Sequence, residues 1–191
     1  HVALTSAADR RYVAFEQAIV NAARMLGAAA SGLLTSRSSG AVLVTGATGY
    51  LGRHLVVALL FDARFADRKI VCLVRAASDA DARRRLVDAL SDVLPRDGPQ
   101  PDLRRLECVA ADTAKPLFGL TPRAFAVLRN ETAAVVHAAA SVKTYPSFAS
   151  HFTQLIEPNV LSALNVALVA TCPFGAVSNR SGGPFESQEQ V

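Results

Sequence analysis

The chain has 191 residues, of which 51% are hydrophobic and 19% are charged, and its formal net charge at pH 7 is +4. This length suffices for one well-buried domain, and the composition excludes an intrinsically disordered chain. The positive charge is small and few aromatic residues accompany the arginines, which argues against nucleic-acid binding. No apolar stretch reaches the roughly 18 uninterrupted residues of a membrane span.

The first predicted element is an amphipathic helix. Ser6 and Asp9 resemble a capping pair, and an apolar stripe follows at alternating three- and four-residue steps: Tyr12, Phe15, Ile19, Ala22 and Leu26. This helix either packs on its own domain or is a linker helix that docks on an upstream domain. The sequence TSRSSG at 35–40 predicts a flexible connector, so residues 1–39 are expected to form a helix and linker.

Strands and helices alternate from residue 41 onward. Short apolar runs predict strands at 41–45, 69–74, 106–110 and 133–140. Four helices are predicted between and after them, with apolar faces formed by Leu51, Leu55 and Leu59; by Ala82, Leu86, Leu90 and Leu94 after a Ser78 cap; by Phe125 and Leu128 after Thr121-Pro122; and by Val160, Leu164 and Leu168 from near Pro158.

This alternation predicts an α/β domain over residues 40–170 with a doubly wound parallel sheet. The sheet is expected to be incomplete, with four or five strands and the outer edge of the fourth strand exposed. Residues 171–191 are polar and rich in Gly and Pro, which predicts an irregular tail. Any ligand crevice would lie at the carboxyl ends of the strands.

Three glycines follow the first predicted strand in the sequence VTGATGYLGRH, residues 44–54. Gly46, Gly49 and Gly52 lie where that strand turns into a helix. The pyrophosphate of a dinucleotide needs a tight turn, close approach of the backbone and exposed N–H groups at a helix N-terminus. The spacing therefore predicts a dinucleotide site, with a purely structural glycine turn as the alternative.

Residues at the ends of the next two strands indicate which dinucleotide. Arg75 follows the second strand, where enzymes that prefer NAD place a carboxylate for the ribose hydroxyls, and a guanidinium there favours NADPH. Arg85 on the following helix could reach the same phosphate. Asp112, just past the third strand, could accept a hydrogen bond from the adenine amine or could be an exposed turn aspartate.

Other chemistries find little support in the sequence. The three cysteines are far apart and form no Cys-x-x-Cys pair, which argues against a metal site and a disulfide framework and favours a reducing, cytoplasmic setting. His137 lies in a predicted apolar strand and is interpreted as a satisfied core histidine. No Gly-x-Ser-x-Gly motif occurs, so hydrolase chemistry is rejected.

Five blocks of sequence resemble the extended short-chain dehydrogenases/reductases with their Rossmann-type sheet. The chain is similar to the thioester reductase domains of nonribosomal peptide and polyketide synthases, and to their relatives in carboxylic acid reductases and fatty acyl-CoA reductases. The blocks are VLVTGATGYLGRHL (42–55), CLVRAASDADARRRL (72–86), AADTAKPLFGL (110–120), VVHAAASVKTYPSF (135–148) and NVLSALNVALVA (159–170).

The resemblance implies a role for each matching residue. The pyrophosphate loop would comprise Gly46, Thr48, Gly49, Tyr50, Leu51 and Gly52. Arg75 and Arg85 would clamp the 2′-phosphate of NADPH, and Asp112 would flank the adenine. Ala138, Ala139 and Ala140 would line the floor near the nicotinamide ribose, and Asn159 matches the asparagine in the family's helix after the fourth strand.

The resemblance also implies a reaction and its partners. An acyl chain on a carrier-protein phosphopantetheine thioester would receive hydride and leave as an aldehyde or alcohol, and residues 6–26 lie where an upstream carrier domain would join. In the family a Tyr-x-x-x-Lys pair with a Ser or Thr protonates the oxyanion. The residues four beyond Tyr12, Tyr50 and Tyr145 are Glu, His and Ala, so no catalytic residue is assigned.

We therefore expect a truncated chain that is the NADPH-binding part of a reductase and is inactive alone. Two other readings remain open. The chain could be a non-catalytic dinucleotide-binding or sensor module, or it could belong to another extended reductase or epimerase.

Overall fold

The structure is a computed structural model that describes Val13, Gln17 and residues 40–142 and 151–171. These residues form four strands and four α-helices in alternation. The strands are β1 (Ala41–Thr45), β2 (Ile70–Val74), β3 (Leu106–Ala110) and β4 (Thr132–His137). The helices are α1 (Tyr50–Phe61), α2 (Asp79–Ser91), α3 (Pro122–Glu131) and α4 (Glu157–Thr171). Most of the predicted tail and most of the predicted N-terminal helix lie outside the described residues.

All strand pairs in the sheet are parallel, and the strand order is β3-β2-β1-β4. The chain moves outward from β1 to β3 and then returns to the other side of β1 for β4. This reversal places a topological switch point between β1 and β4, and ligand crevices of doubly wound sheets form at that point. The predicted fold class, an incomplete doubly wound parallel sheet with β4 at an edge, is confirmed.

Helices pack on both faces of the sheet, which explains why the central strands β1 and β2 are continuous apolar runs. One face packs alternate strand residues, such as Val44 and Cys72, against α1 and α2. The other face packs Leu43 and Leu73 against α3 and α4. The alternation of side chains along each strand therefore divides the core into two layers.

The buried face of α1 differs from the predicted one. Leu51 is 60% exposed, and the residues that α1 buries are Gly52, Val56 and Leu60. The face is set by Gly52, which lies so close to β1's glycine turn that an added Cβ would be 2.0 Å from the carbonyl oxygen of Gly46. This contact involves only the backbones of Gly46 and Gly52, so the spacing of the leucine side chains does not reveal it. The leucine spacing therefore predicted the wrong buried face.

Strand β4 ends at His137, three residues earlier than predicted. Its partner β1 ends at Thr45, where the chain turns at Gly46, so residues 138–140 have no strand left to pair with. The last ladder-like contact is the Ala138 N–H, which donates to the Thr45 carbonyl oxygen at 3.1 Å. The three alanines therefore form a loop at the carboxyl edge of the sheet.

One helix among the described residues, Phe152–Ala170, is long and apolar enough to cross a membrane by length and composition, with a mean hydropathy of 1.2. A core helix passes the same test. Leu168 and Val169 of this helix pack into the core beneath the sheet, and its polar Asn165 is buried as well. Only 28% of the apolar window is buried inside the structure, so these contacts cover part of the helix.

Candidate cofactor-binding site

A crevice of about 410 Å³ opens at the carboxyl ends of β1, β2 and β4, at the switch point. Residues that follow the strands form its walls, together with the first turns of α4. The lining residues are Gly46, Thr48, Gly49, Arg75, Thr113, Ala114, Ala138, Ala139, Ala140, Ser141, Pro158, Asn159 and Ser162. The topology thus brings five separate stretches of sequence to one concave surface.

Two of the three glycines are required by the protein's own backbone. Gly46 has φ +69°, and an added Cβ would lie 2.6 Å from the backbone of Ala138 and Ala139. Such a φ strains any residue with a side chain. Gly52 lets α1 approach the turn, as described above. These two glycines draw the turn, α1 and the alanine loop together, which narrows the crevice.

The third glycine leaves the start of α1 bare. Gly49 is the N-cap of α1, it makes no side-chain cap hydrogen bond, and the first turn contains no acidic residue. The first intrahelical bond joins the Arg53 N–H to the Gly49 carbonyl oxygen at 3.1 Å. The amides of Tyr50, Leu51 and Gly52 precede it and have no acceptor within the helix. An anion placed in the crevice meets these N–H groups and the positive end of the helix dipole.

Arg75 supplies the crevice with a cation. It follows β2, is exposed, and forms no ion pair with any residue in 40–142 or 151–171. Four other arginines in this part of the chain are paired with aspartates: Arg53, Arg64, Arg84 and Arg104. Arg85 donates from Nη1 to the backbone carbonyl of Arg75, so it holds the backbone from which the Arg75 guanidinium extends.

The loop after β3 forms the wall beside Arg75. The carboxylate of Asp112 accepts a hydrogen bond from the Ala114 N–H at 3.1 Å, which makes an Asx turn, and Thr113 and Ala114 line the crevice. Two residues further along the same loop, Leu117 and Phe118, have φ values of 52° and 61°, in the left-handed region that costs about 1–2 kcal/mol per residue. Something must therefore hold this loop in place.

Asn165 of α4 holds it. Its Nδ2 donates to the carbonyl oxygens of Thr113 and Lys115 at 3.2 and 2.7 Å, and its Oδ1 accepts from the Leu117 N–H at 3.1 Å. The side chain is buried, so these bonds replace water and fix the loop rigidly. The buried Phe118, whose ring centroid is 5.7 Å from that of Phe125, anchors the same loop in the core.

Asn159 fixes the opposite wall. Its Oδ1 accepts from the Ser141 N–H at 2.7 Å, and its Nδ2 donates to the Ser141 carbonyl oxygen at 3.1 Å. The Ser141 hydroxyl donates to the carbonyl oxygen of Gln154 at 2.6 Å. The alanine loop is thus tied to the start of α4 despite the proline that precedes Asn159.

His137 is not the core histidine that its strand suggested. It is exposed because it ends an edge strand, and its Nδ1 is 2.6 Å from the Oγ1 of the buried Thr45. Partial desolvation of the ring lowers the pKa of His137. Within the described residues no group of three or more His, Cys, Asp or Glu could hold a metal ion.

A family model matches residues 44–181, which is more than half of the chain and includes the whole crevice. It describes an NAD-binding family under the heading "Male sterility protein". The chain belongs to this family.

The chain is also similar to parts of a large synthase and of a carboxylic acid reductase. The chain is 38% identical over 149 residues to the isonitrile lipopeptide synthase of Mycobacterium tuberculosis, which covers 74% of this chain and 6% of the synthase. It is 33% identical over 138 residues to the carboxylic acid reductase of Mycobacterium marinum, covering 68% of this chain and 11% of that enzyme.

Solved structures give the same relationship for the fold. The reductase domain of a nonribosomal peptide synthetase from M. tuberculosis has a TM-score of 0.61 and 35% identity, covering 78% of this chain and 34% of that one. The terminal reductase domain of the myxalamid pathway has a TM-score of 0.59 and 29% identity, with 72% and 32% covered. The chain is thus homologous to these reductase domains and spans about a third of their length.

The structure places the predicted site residues of this NAD-binding domain in two groups. Eight of them line the crevice: Gly46, Thr48, Gly49, Arg75, Ala138, Ala139, Ala140 and Asn159. Five others do not: Tyr50, Leu51, Gly52, Arg85 and Asp112. Tyr50 and Leu51 are exposed on α1, where the Tyr50 ring packs near His54, so they offer the crevice backbone amides rather than side chains.

The sequence interpretation missed Asn165, which shapes the crevice without lining it. A signal was present, because Asn165 lies four residues after Leu161 and three before Leu168 on the buried stripe of α4. A polar residue on such a stripe needs partners, and here they belong to a distant loop. Thr113, Ala114 and Ser162 were likewise not predicted to line the crevice.

Proposed function

We propose that the chain is the NADPH-binding part of a cytoplasmic reductase that acts on an acyl thioester carried by a carrier-protein phosphopantetheine and releases it as an aldehyde or alcohol. The observation that carries the NADPH assignment is the crevice itself. It combines the bare N-terminus of α1 with the guanidinium of Arg75, which has no ion pair among the described residues. These are the groups that a pyrophosphate and a ribose phosphate require. The homologous reductase domains support the reaction.

In this proposal, each wall of the crevice binds a different part of NADPH. The amides of α1 bind the pyrophosphate, because no side chain at Gly49 competes for them. Arg75 binds the 2′-phosphate, and the Thr113–Ala114 wall held by Asn165 borders the adenosine end. The small side chains of residues 138–140 leave room for the nicotinamide ribose. When bound, the reduced nicotinamide supplies the hydride.

We assign no residue of this chain to protonation of the substrate oxyanion. The sequence contains no Tyr-x-x-x-Lys pair. Tyr50 is 79% exposed at the start of α1. Binding of NADPH without turnover is therefore the expected behaviour of the 191-residue chain. A sensor module that only binds the dinucleotide would share that behaviour.

The NADPH assignment is tested by titrating the chain with NADPH and NADH and comparing Arg75→Ala with wild type. Loss of a charge-assisted bond of about 1.5–3 kcal/mol predicts a tenfold to hundredfold weaker NADPH complex and little change for NADH. Arg104→Ala is the matched control, since Arg104 is an exposed arginine paired with Asp102 away from the crevice. Equal affinities for the two cofactors, or no effect of Arg75→Ala, would contradict the proposal.

A second experiment distinguishes the hypothesis of a reductase from that of a sensor module. The chain is extended in frame by about the next hundred codons of its gene and assayed for NADPH oxidation with an acyl phosphopantetheine thioester. Activity of the extended protein, absent from the 191-residue chain, supports the reductase. Tight NADPH binding by both proteins without oxidation would favour the sensor.

A further inference from the structure

A second cavity, of about 350 Å³, opens at the end of the sheet opposite the crevice. It lies beside the first residues of the strands, between the sheet and α3. Its lining is mainly apolar: Val71, Val109, Leu120, Ala124, Val127 and Leu128. Glu107, Arg123 and Glu131 lie at the same cavity and bring charge to it. We refer to this cavity as the basal groove.

The basal groove is an apolar surface that lacks a cover among the described residues. On β3 the residues that face it, Glu107 and Val109, are exposed and half-buried, whereas Leu106 and Cys108 on the other face are buried under α2. Val127 of α3 is 49% exposed. Apolar surface of this kind gains about 25 cal/mol for each Å² removed from water, so a matching apolar partner would bind here.

The N-terminal segment of the chain joins the domain at this groove. Ala41, the first residue of β1, is one of the groove's lining residues. Gly40 before it packs so closely that an added Cβ would lie 2.9 Å from the carbonyl oxygen of Glu131, another lining residue. The residues 27–39 that connect to the apolar stripe can span roughly 40 Å when extended, which is ample to return a helix to the groove.

The structure describes two residues of that segment, Val13 and Gln17. Val13 and Gln17 are both helical and both exposed. At about 100° per residue, both lie on the side of the helix opposite the stripe formed by Tyr12, Phe15, Ile19, Ala22 and Leu26. The stripe therefore lies on the side away from these two residues and is free to face the domain.

We propose that residues 6–26 dock on their own domain as an amphipathic helix, with the apolar stripe in the basal groove. The segment thereby covers the one face of β3 that the described helices leave open. This interaction lies at the opposite end of the sheet from the crevice and does not depend on the function of the crevice.

The test is the reactivity of a thiol placed in the groove by Val127→Cys in a Cys172→Ser background. The stripe is disrupted by the double substitution Phe15→Asp and Ile19→Asp. The matched control adds the same charges to the exposed side of the same helix, through Val13→Asp and Gln17→Asp. Labelling by a water-soluble thiol reagent is followed by peptide mass spectrometry, with Cys72 and Cys108 as internal reporters because both are buried.

Docking predicts that disruption of the stripe speeds labelling of the introduced thiol at least tenfold, while the control changes it less than twofold. Cys72 and Cys108 stay unlabelled in every variant, which shows that the domain remains folded. Equally fast labelling in all variants would overturn the proposal and leave the groove to another protein. Protection that grows with protein concentration and accompanies a dimer in sedimentation would overturn it in favour of a second copy.

Discussion

The domain has two strand-to-helix turns that the topology makes nearly equivalent, and only one of them is fit to bind a phosphate. Both the β1–α1 and the β2–α2 turn lie at the carboxyl edge of the sheet and lead into helices on the same face. Helix α1 begins at Gly49 with no cap bond and no acid. Helix α2 begins at Ser78, whose Oγ accepts from the Asp81 N–H at 3.2 Å, and Asp79 and Asp81 stand in its first turn.

This difference shows that side chains, not topology, decide where an anion binds. In α2 the protein's own oxygens occupy the helix N-terminus, and two carboxylates oppose any further negative charge there. The carboxylate of Asp79 also accepts from the Ala110 N–H at 2.7 Å and so ties α2 to β3. The first turn leaves its amides free to bind an anion, whereas the second uses its own side chains to stabilise the fold.

The largest effect on stability and NADPH binding is expected at Gly52, where helix α1 packs against the glycine turn. Gly52→Ala places a Cβ 2.0 Å from the Gly46 carbonyl oxygen, so α1 must move away from β1. Urea unfolding should show a loss of about 3 kcal/mol, as for severe overpacking, and NADPH binding should disappear.

The control for Gly52→Ala is Gly98→Ala. Gly98 has φ +98° but no atom within 4 Å of an added Cβ, so strain alone should cost about 1 kcal/mol. Similar losses for the two variants would mean that close packing at Gly52 does not hold the turn.

The next largest effect on NADPH binding is expected when the β1–α1 turn is given an acidic cap and so made similar to the β2–α2 turn. Gly49→Asp fits the backbone dihedrals, since φ is −74° and ψ is 168°, and it supplies the missing cap. Its Cβ would lie 3.2 Å from the Gly46 carbonyl oxygen, so the turn must shift slightly to accept it. We expect stability to change by only about a few tenths of a kcal/mol, because glycine is itself a good N-cap residue. NADPH should bind at least tenfold more weakly, because the carboxylate takes the amides and repels the pyrophosphate. Gly49→Asn caps without charge and should weaken binding less. An unchanged dissociation constant for Gly49→Asp would place the pyrophosphate elsewhere.

The smallest effect on binding is expected at the second turn. Ser78→Ala removes the cap of α2, and chemical denaturation should show a loss of about 1 kcal/mol. Isothermal titration should give an NADPH dissociation constant within twofold of wild type, because Ser78 is not among the residues that line the crevice. A large loss of affinity would show that the two turns are not independent.

Much of the fold was predictable because it depends on local pattern. The bounds of β1 and β3 were predicted to the residue, and Ser78 was identified as a cap that the structure confirms. Pro122 was expected to open the third helix, and it does. Strand β4 was predicted too long, because alanine continues its apolar run although the partner strand has ended. The face of α1 was predicted one residue out of place, because the glycine contact outweighs the leucine spacing.

The candidate site was predictable in part. The glycine turn and Arg75 were found because a strand, a bare turn and a charged residue at a strand end are readable in one dimension. Asn165 was not found, since its three bonds reach residues about 50 positions away in sequence. Its partners are backbone groups, and the sequence around Thr113 and Leu117 gives no sign of them.

By itself, the sequence determined the alternation of elements, the parallel sheet that follows from it, and the stretch where a phosphate can approach the backbone. Backbone propensity, apolar periodicity and the absence of a Cβ act between residues that are close in the chain, so the sequence alone is enough to recognise them. Only the tertiary structure decided that β4 lies beside β1, that Asn165 braces the wall after β3, and that the groove opens where the N-terminal segment joins. Those features are contacts between segments that are far apart in the sequence, and such contacts stabilise the protein only after the chain has folded.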